Sequence, residues 1–332
     1  ALPSDALADA RARLKAALGD KLNLNDLTHA VAETRRAEAA TAPEGAIVVG
    51  RQLADVTADA LALLVAANDP PVLFRRSGEV VRVTRDEKDR PVIGPATPEV
   101  VRHRLAALAP WVRQGDKGPR PVDPPESVVR NLLASWELPF PALEAVVEAP
   151  VLRPDGTVLD AEGYDAATRL FYAPAPDLHV PPVPARPTAA QIAAARDLLL
   201  DELLGDFPFA DDASRAGALA LLLTPILRPA LRGCVPLALV DSPSAGTGKT
   251  FLTEVIATVA TGRNAALLPS PRDDAEIEKR VFALLAEGAT FIVLDNLEGD
   301  LAAPSLAVAL TSTTFAGRVL GESRTLALPQ RA

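Results

Sequence analysis

The sequence feature that most constrains this 332-residue chain is a glycine-rich run, DSPSAGTGKT, at residues 241–250. It fits the pattern G-x-x-x-x-G-K-[ST], except that Pro243 stands where the first glycine belongs. An apolar run, 235–240, precedes it, and a helical pattern, 250–260, follows it. Glycines let the backbone N–H groups of such a loop turn inward, and the next helix adds the partial positive charge of its N-terminus. The pattern therefore predicts a strand, a phosphate-binding loop (P-loop) and a helix, in that order.

Each residue type in this loop has a chemical reason. The Lys249 ammonium would reach the β- and γ-phosphates of a nucleotide, and the Thr250 hydroxyl would be a magnesium ligand. The motif and the residue after it define the predicted nucleotide-binding set: Ser244, Ala245, Gly246, Thr247, Gly248, Lys249, Thr250 and Phe251. The alternative is a surface turn with a solvated lysine, which the flanking strand and helix patterns disfavour.

A second pattern, FIVLDNLEG at residues 291–299, is an apolar strand that ends in an acid, as in the Walker B motif. Its Asp295 lies 46 residues after Lys249, across a helix, a strand and a helix. That spacing predicts both motifs at one carboxyl edge of a parallel sheet, with Asp295 holding Mg²⁺ together with Thr250. Asn296 is a candidate to orient the attacking water and Glu298 a candidate base; the alternative for Glu298 is a solvated loop acid.

The order of patterns along the chain predicts an α/β fold. After residue 235, apolar runs alternate with helical patterns, which favours a P-loop NTPase core with a mainly parallel sheet. Helical and α+β regions precede this core, and a run with six prolines in 14 residues separates them from it. The predicted divisions are a helical region (1–70), an α+β domain (71–173), a linker (174–187) and the P-loop core (188–332).

The composition excludes several classes of protein. The chain has 34 Lys+Arg and 43 Asp+Glu, so its net charge is −9. It therefore lacks the overall basic character of many nucleic-acid binders. One cysteine excludes an intrachain disulfide. No apolar run approaches the roughly 18 residues of a membrane helix, so we expect a soluble, cytoplasmic protein with no membrane partner. The chain contains no methionine, even at position 1, which predicts a fragment of a longer protein.

Several segments together carry a resemblance to a known family: SPSAGTGKT (242–250), FIVLDNLEG (291–299), LTSTTFAGRVLGESRTLALPQRA (310–332) and, more weakly, PPVLFRRSGEVVRV (70–83) and APVLRPDGTVLDAEGYD (149–165). The chain resembles ATPases of the AAA+ and superfamily-3 helicase type, in particular primase-associated ATPase/helicase proteins of phages, prophages and plasmids. The resemblance implies ATP and Mg²⁺ as cofactors and hydrolysis that powers DNA unwinding. It further implies a homo-oligomeric ring, single-stranded or forked DNA as partner, and a core sheet truncated at its C-terminus.

Two other functions remain open at this stage. Many relatives have glutamate where this chain has Asn296, which leaves room for a nucleotide-dependent switch or scaffold that binds ATP without motor activity. A small-molecule P-loop kinase would need an arginine-bearing lid and an acceptor pocket, and the sequence shows the pattern of neither.

Arginines raise two further hypotheses. Arg318 or Arg324 would act as an arginine finger towards a neighbouring subunit or, alternatively, form surface salt bridges. A basic stretch near Trp111 would track a nucleic-acid backbone with one stacking aromatic, or would be an ordinary solvated loop. Its members are Arg102, Arg104, Arg113, Lys117 and Arg120.

Overall fold

The computed structural model describes residues 42–116, 118–135, 138–176, 178–244, 246–269, 273–297, 301–319 and 324–332. The helices predicted before residue 41 lie outside these ranges. The chain divides into two compact units, one built from residues 1–67 and 98–134 and the other from 68–97 and 135–332. The domain boundaries inferred from the sequence at residues 70, 173 and 187 stay predictions.

The helices of the described ranges are α1 (Leu53–Ala66), α2 (Pro98–Leu108), α3 (Glu126–Leu133), α4 (Ala189–Asp197), α5 (Asp212–Leu227), α6 (Lys249–Thr261), α7 (Asp274–Glu287) and α8 (Pro304–Thr311). A π-helical segment, Leu198–Leu203, continues α4. The residue patterns at 98–107, 126–134, 250–260 and 273–287 predict helices, and each is confirmed to within one residue at either end. None of the helices in the described part of the chain combines the length and apolar character needed to cross a bilayer.

The strands are short. They are β1 (Ile47–Val49), β2 (Phe74–Arg76), β3 (Glu79–Arg85), β4 (Pro91–Pro95), β5 (Trp111–Gly115), β6 (Gly118–Pro121), β7 (Ala145–Val147), β8 (Val151–Leu152), β9 (Val158–Leu159), β10 (Gly163–Asp165), β11 (Leu170–Tyr172), β12 (Ala266–Pro269), β13 (Ile292–Asp295), β14 (Thr314–Arg318) and β15 (Thr325–Pro329). They pair into sheets of two or three strands in the described ranges of both units.

In the first unit, β1 runs parallel to β5, and β5 pairs antiparallel with β6. Helices α1 and α3 pack on each other through buried apolar side chains, among them Leu64 and Leu132. Trp111 of β5 is buried, and its indole Nε1 donates a hydrogen bond to the Leu105 carbonyl of α2 at 3.1 Å. This tryptophan therefore holds a strand against a helix.

The second unit corrects the predicted sheet. Of the nine strand pairings in the described ranges of the whole chain, six are antiparallel, and they form six separate sheets. Ser77-Gly78 between two β-prone segments predicts a hairpin. It is present as β2–β3, and both turn residues have positive φ, as a type I′ turn requires. The P-loop region contributes only the parallel pair β12–β13 and the antiparallel hairpin β14–β15. The prediction of a mainly parallel P-loop sheet is wrong for this structure.

The disagreement centres on residues 235–240, which the sequence predicts to be the first strand of that sheet. They have no strand conformation, and Leu237 and Leu239 are 47% and 80% exposed. Strand preference measures how well side chains pack on a pleated surface, so an apolar run without a pairing strand has no reason to be extended in a sheet. The strand predicted at 235–240 is therefore wrong for the described structure.

Helix α7 is held at both ends and along one face. The Asp273 carboxylate accepts the Glu276 backbone N–H at 2.8 Å as N-cap, and Gly288 ends the helix. The buried face of α7 packs into an apolar cluster with residues of α8, β14 and β15. Its members are Ile277, Val281, Phe282, Leu285, Ala309, Phe315 and Leu328.

A buried cation stabilises the C-terminal end of α7. Arg76 of β2 is 6% exposed and donates from Nη1 to the Ala286 carbonyl at 2.7 Å and from Nη2 to the Leu285 carbonyl at 2.6 Å. These carbonyls carry the partial negative charge of the helix end, so a guanidinium is favoured there. Burial lowers the pKa of Arg76 to about 10, which leaves it charged at neutral pH.

Close packing of α7 on β14 leads to a first prediction. A β-carbon added at Gly317 would lie 2.3 Å from Cδ2 and 3.0 Å from Cβ of Phe282, which is buried and has little freedom to move away. We expect Gly317→Ala to lower the free energy of unfolding by about 1–3 kcal/mol through overpacking. The measurement is urea denaturation followed by circular dichroism.

Gly217 provides the matched control. It lies inside α5, where an added β-carbon meets nothing within 4 Å. Gly217→Ala should raise stability by roughly 0.5–1 kcal/mol, because alanine loses less backbone entropy than glycine in a helix. Equal effects of the two substitutions would contradict the packing described for Gly317.

Candidate nucleotide-phosphate site

The P-loop is a compact turn that leads directly into α6. Gly248 is the N-cap of α6 with φ of 86°, a left-handed conformation that glycine adopts without a steric penalty. Two side-chain hydrogen bonds brace the loop: the Ser242 hydroxyl donates to the Ser244 carbonyl at 2.7 Å, and the Thr247 hydroxyl donates to Ser242 Oγ at 2.8 Å. The first residues of α6, Lys249 and Thr250, are therefore placed at the positive end of a helix dipole.

The position of α6 is fixed by its opposite face. Leu252 and Ile256 are buried and pack with Leu204 and with Leu222 of α5 in one apolar cluster. The interior of α5 contains Pro225 in its last turn, and its N-cap Asp211 accepts the Ser214 N–H at 2.7 Å. Because α6 packs through this face, Lys249 and Thr250 in its first turn are available on the side of the loop.

The two motifs meet at Thr250 and Asp295. The Thr250 hydroxyl lies 3.1 Å from Asp295 Oδ1, although 45 residues separate them in sequence. Asp295 is the last residue of β13, and the same Oδ1 accepts the Asn296 backbone N–H at 3.0 Å. Asn296 has φ of 52°, so the chain turns away immediately after the acid. The predicted magnesium pair is thus brought together within one unit.

A cavity of about 630 Å³ adjoins this pair. Its polar lining includes Asp241, Lys249, Thr250, Asp295 and Asn296. The remaining walls are mainly apolar and include residues 235–240 and strand β13. Lys249 is partly exposed, so its ammonium is accessible to an anion from solvent.

The side chains present fit a magnesium ion. Thr250 offers a neutral hydroxyl oxygen and Asp295 a carboxylate, and Mg²⁺ prefers oxygen ligands of these kinds while keeping several waters. The described loop includes Ser244, Gly246 and Thr247, and Phe251 follows in α6. Ala245 and Glu298, which the sequence also places in the site, lie outside the described residues.

Arginines at the cavity were missed by the sequence analysis. Arg228, at the end of α5, is 5% exposed and donates from Nη2 to the Gln330 carbonyl at 3.1 Å. Burial, and secondarily the positive charge of Arg331, lowers its pKa. Arg331 forms an ion pair with Glu144 and also lines the cavity. No local pattern marks these residues, because more than a hundred positions separate the two arginines.

The structure bears on both arginine hypotheses, the arginine finger and the basic stretch near Trp111. Arg324 forms an ion pair with Glu79, which agrees with the salt-bridge alternative. In the basic stretch, Arg102 donates to the Pro124 carbonyl at 2.9 Å and Arg104 to the Ala67 carbonyl at 2.8 Å, so both contribute to packing. Trp111 is buried and has no face for stacking.

Two arginines of that stretch are exposed and lie opposite each other on paired strands. Arg113 of β5 and Arg120 of β6 are directly opposite each other in the antiparallel pairing, and both are exposed. Like charges placed opposite each other across two strands are mutually destabilising. Lys117, the remaining member of the stretch, lies outside the described residues.

Comparison of the chain with protein-family models, with curated proteins and with solved structures finds no match. The chemical interpretation of the site therefore depends on its own residues: a left-handed glycine before a helix, a lysine and a threonine in the first turn, and a carboxylate at the end of a strand.

The contact between the motifs leads to a second prediction. In the absence of Mg²⁺ and nucleotide, Thr250→Val and Asp295→Ala should each lower stability, and the double variant should lose less than the sum. We expect a coupling of about 1 kcal/mol, because the two side chains share one hydrogen bond. Urea denaturation of the four proteins measures it.

The control uses another threonine of α6. The Thr258 hydroxyl is hydrogen-bonded to Asn264 Oδ1 at 3.1 Å. Thr258→Val combined with Asp295→Ala should therefore be additive within about 0.5 kcal/mol. Additivity in the Thr250 cycle as well would show that the 3.1 Å contact has no energetic weight.

Proposed function

We propose that this chain binds ATP with Mg²⁺ and hydrolyses it. The observation that carries the proposal is the 3.1 Å contact between Thr250 Oγ1 and Asp295 Oδ1, which unites a P-loop helix with an acid that ends a strand. An isolated G-K-T sequence or an isolated acid after an apolar strand would be a weak signal. Their convergence on one cavity, together with Lys249, is the arrangement that a nucleoside triphosphate and its metal require.

Each group in the proposed site has one task. The backbone N–H groups after Gly248 and the α6 dipole attract phosphate oxygens, and the Lys249 ammonium offsets the charge that gathers on the γ-phosphate. Thr250 and Asp295 would hold the metal, which when bound neutralises charge on the β- and γ-phosphate oxygens. The oxygen of a water forms a bond to the γ-phosphorus, the bond to the ADP oxygen breaks, and the proton of the water leaves to solvent or to a base.

The attacking water needs a partner that orients it. Asn296 lines the cavity directly after Asp295, which makes its side-chain amide the candidate to orient this water. Glu298 is the proposed base, two residues further along the chain. An amide orients a water without removing its proton, so Asn296 alone would support slow hydrolysis only.

We further propose that hydrolysis serves a DNA motor, with the chain acting as a ring-forming homo-oligomer on single-stranded or forked DNA. The family resemblance of the motifs supports this extension. The exposed Arg113–Arg120 pair of β5–β6 supports it independently, since a phosphate between two opposed guanidinium groups relieves their repulsion.

A second candidate function is a nucleotide-dependent switch. It is favoured by Asn296, whose backbone N–H is bonded to Asp295 and which stands where a catalytic glutamate would follow the magnesium acid. Such a protein would bind ATP as tightly as an ATPase does but hydrolyse it at a negligible rate.

The test of the proposed function is steady-state release of inorganic phosphate from ATP. Lys249→Ala should abolish turnover, because the γ-phosphate loses its compensating charge, while the circular dichroism spectrum stays unchanged. The control is Lys279→Ala, which removes the same charge from an exposed position of α7 and should retain full activity.

Repeating the assay with single-stranded DNA separates the candidates. Stimulation that is lost in Arg113→Ala/Arg120→Ala supports the motor, and turnover indifferent to DNA argues against it. Equal turnover by Lys249→Ala and the parent chain would overturn the ATPase proposal. Binding of ATP without measurable turnover would favour the switch.

A further inference from the structure

Three phenylalanine rings lie together beside the P-loop. The Phe207 and Phe251 ring centroids are 6.0 Å apart with an interplanar angle of 33°, and those of Phe207 and Phe209 are 6.3 Å apart. The chain has only nine phenylalanines in 332 residues, so three at one loop are a marked concentration. A β-carbon added at Gly248 would lie 4.0 Å from Cε1 of Phe207, which places that ring against the last glycine of the motif.

Two of the rings have a structural role that the third lacks. Phe207 and Phe209 are partly buried against the apolar cluster that includes Leu204 and Ile256. Phe251, in contrast, is 61% exposed, although it is the third residue of α6. Burial of a ring is strongly favourable, so a phenylalanine that keeps most of its surface in water next to a ligand site calls for a partner that covers it.

The direction of Phe251 points to the P-loop side. Long side chains on a helix lean towards its N-terminus, and in α6 that end is the P-loop. The contact between Phe251 and Phe207, which itself lies against Gly248, agrees with this direction. A flat apolar surface is thereby placed next to the phosphate-binding residues and open to solvent.

We propose that Phe251, supported by Phe207, is the stacking surface for the purine base of the bound triphosphate. This inference rests on the proposed function and adds a contact to the base, which the phosphate residues do not make. A purine is flat and apolar on its faces, and it stacks on aromatic rings in offset or tilted arrangements. Phe207 contacts the Phe251 ring, so less side-chain entropy is lost when the base binds.

The test compares two ligands that share the phosphates and differ in the base. Dissociation constants for Mg²⁺-ATP and for Mg²⁺-tripolyphosphate are measured by calorimetry on the parent chain and on Phe251→Leu. The substitution keeps an apolar side chain at an exposed position but removes the ring, so folding is retained. We expect affinity for ATP to fall about tenfold and affinity for tripolyphosphate to stay unchanged.

Three further variants sharpen the comparison. Phe251→Trp keeps an aromatic face and should bind ATP at least as tightly as the parent, with indole fluorescence that changes on addition of ATP but not of tripolyphosphate. Phe207→Leu should reproduce the ATP-selective loss in a weaker form. Val259→Ala, at another exposed position of α6, should change neither affinity.

Each outcome decides between the proposals. ATP binding no tighter than tripolyphosphate in the parent chain, or an equal loss for both ligands in Phe251→Leu, overturns the stacking surface and leaves the phosphate site standing. Failure of the parent chain to bind either ligand overturns the proposed function and this inference together. Loss confined to ATP supports both.

Discussion

The burial of one face of α7 is the interaction on which the described P-loop region depends. Four of its side chains enter the cluster formed with α8, β14 and β15, and each such side chain contributes roughly 1.5–3 kcal/mol when fully buried. Asp273 caps the start of the helix, and Arg76, reaching from β2, binds the carbonyls at its end. Strand β13 begins shortly after Gly288, so the position of α7 determines where Asp295 lies.

The candidate site is the meeting point of two independently stabilised elements. Helix α6 is positioned through Leu252 and Ile256, on the face away from the loop, and β13 through its pairing with β12. Their ends bring the Thr250 hydroxyl within 3.1 Å of Asp295. Because apolar packing and strand pairing position the two elements, the lysine, threonine and aspartate are available to a ligand. Phe251, in the first turn of α6, is likewise left exposed next to the loop.

Sequence signals for helices and tight turns agree with the structure better than those for strands and their pairing. The helical spacing of α7 with Asp273 and Gly288 at its ends, and the turn residues Ser77-Gly78, specify structure within a few residues, and both are present. The sequence Thr188-x-x-Gln191 has the form of a capping box, and the structure has that capping box at the start of α4. Which strands pair is decided by distant residues, so the parallel sheet was wrongly predicted and the β14–β15 hairpin was missed. The burial of Trp111 and the capping by Arg76 depend on tertiary packing that no spacing pattern encodes.

Thr250 and Asp295 are proposed to form, with Lys249, a metal-dependent nucleotide site. The most direct measurement is the binding of ATP by isothermal titration calorimetry, with Mg²⁺ and with excess chelator, on the parent chain and on Asp295→Asn. The proposed site predicts one ATP per chain in the presence of Mg²⁺. The affinity should fall when the metal is removed, and this effect of Mg²⁺ should be absent from Asp295→Asn. Binding that is equally tight with and without Mg²⁺ in both proteins, or no binding at all, would contradict it.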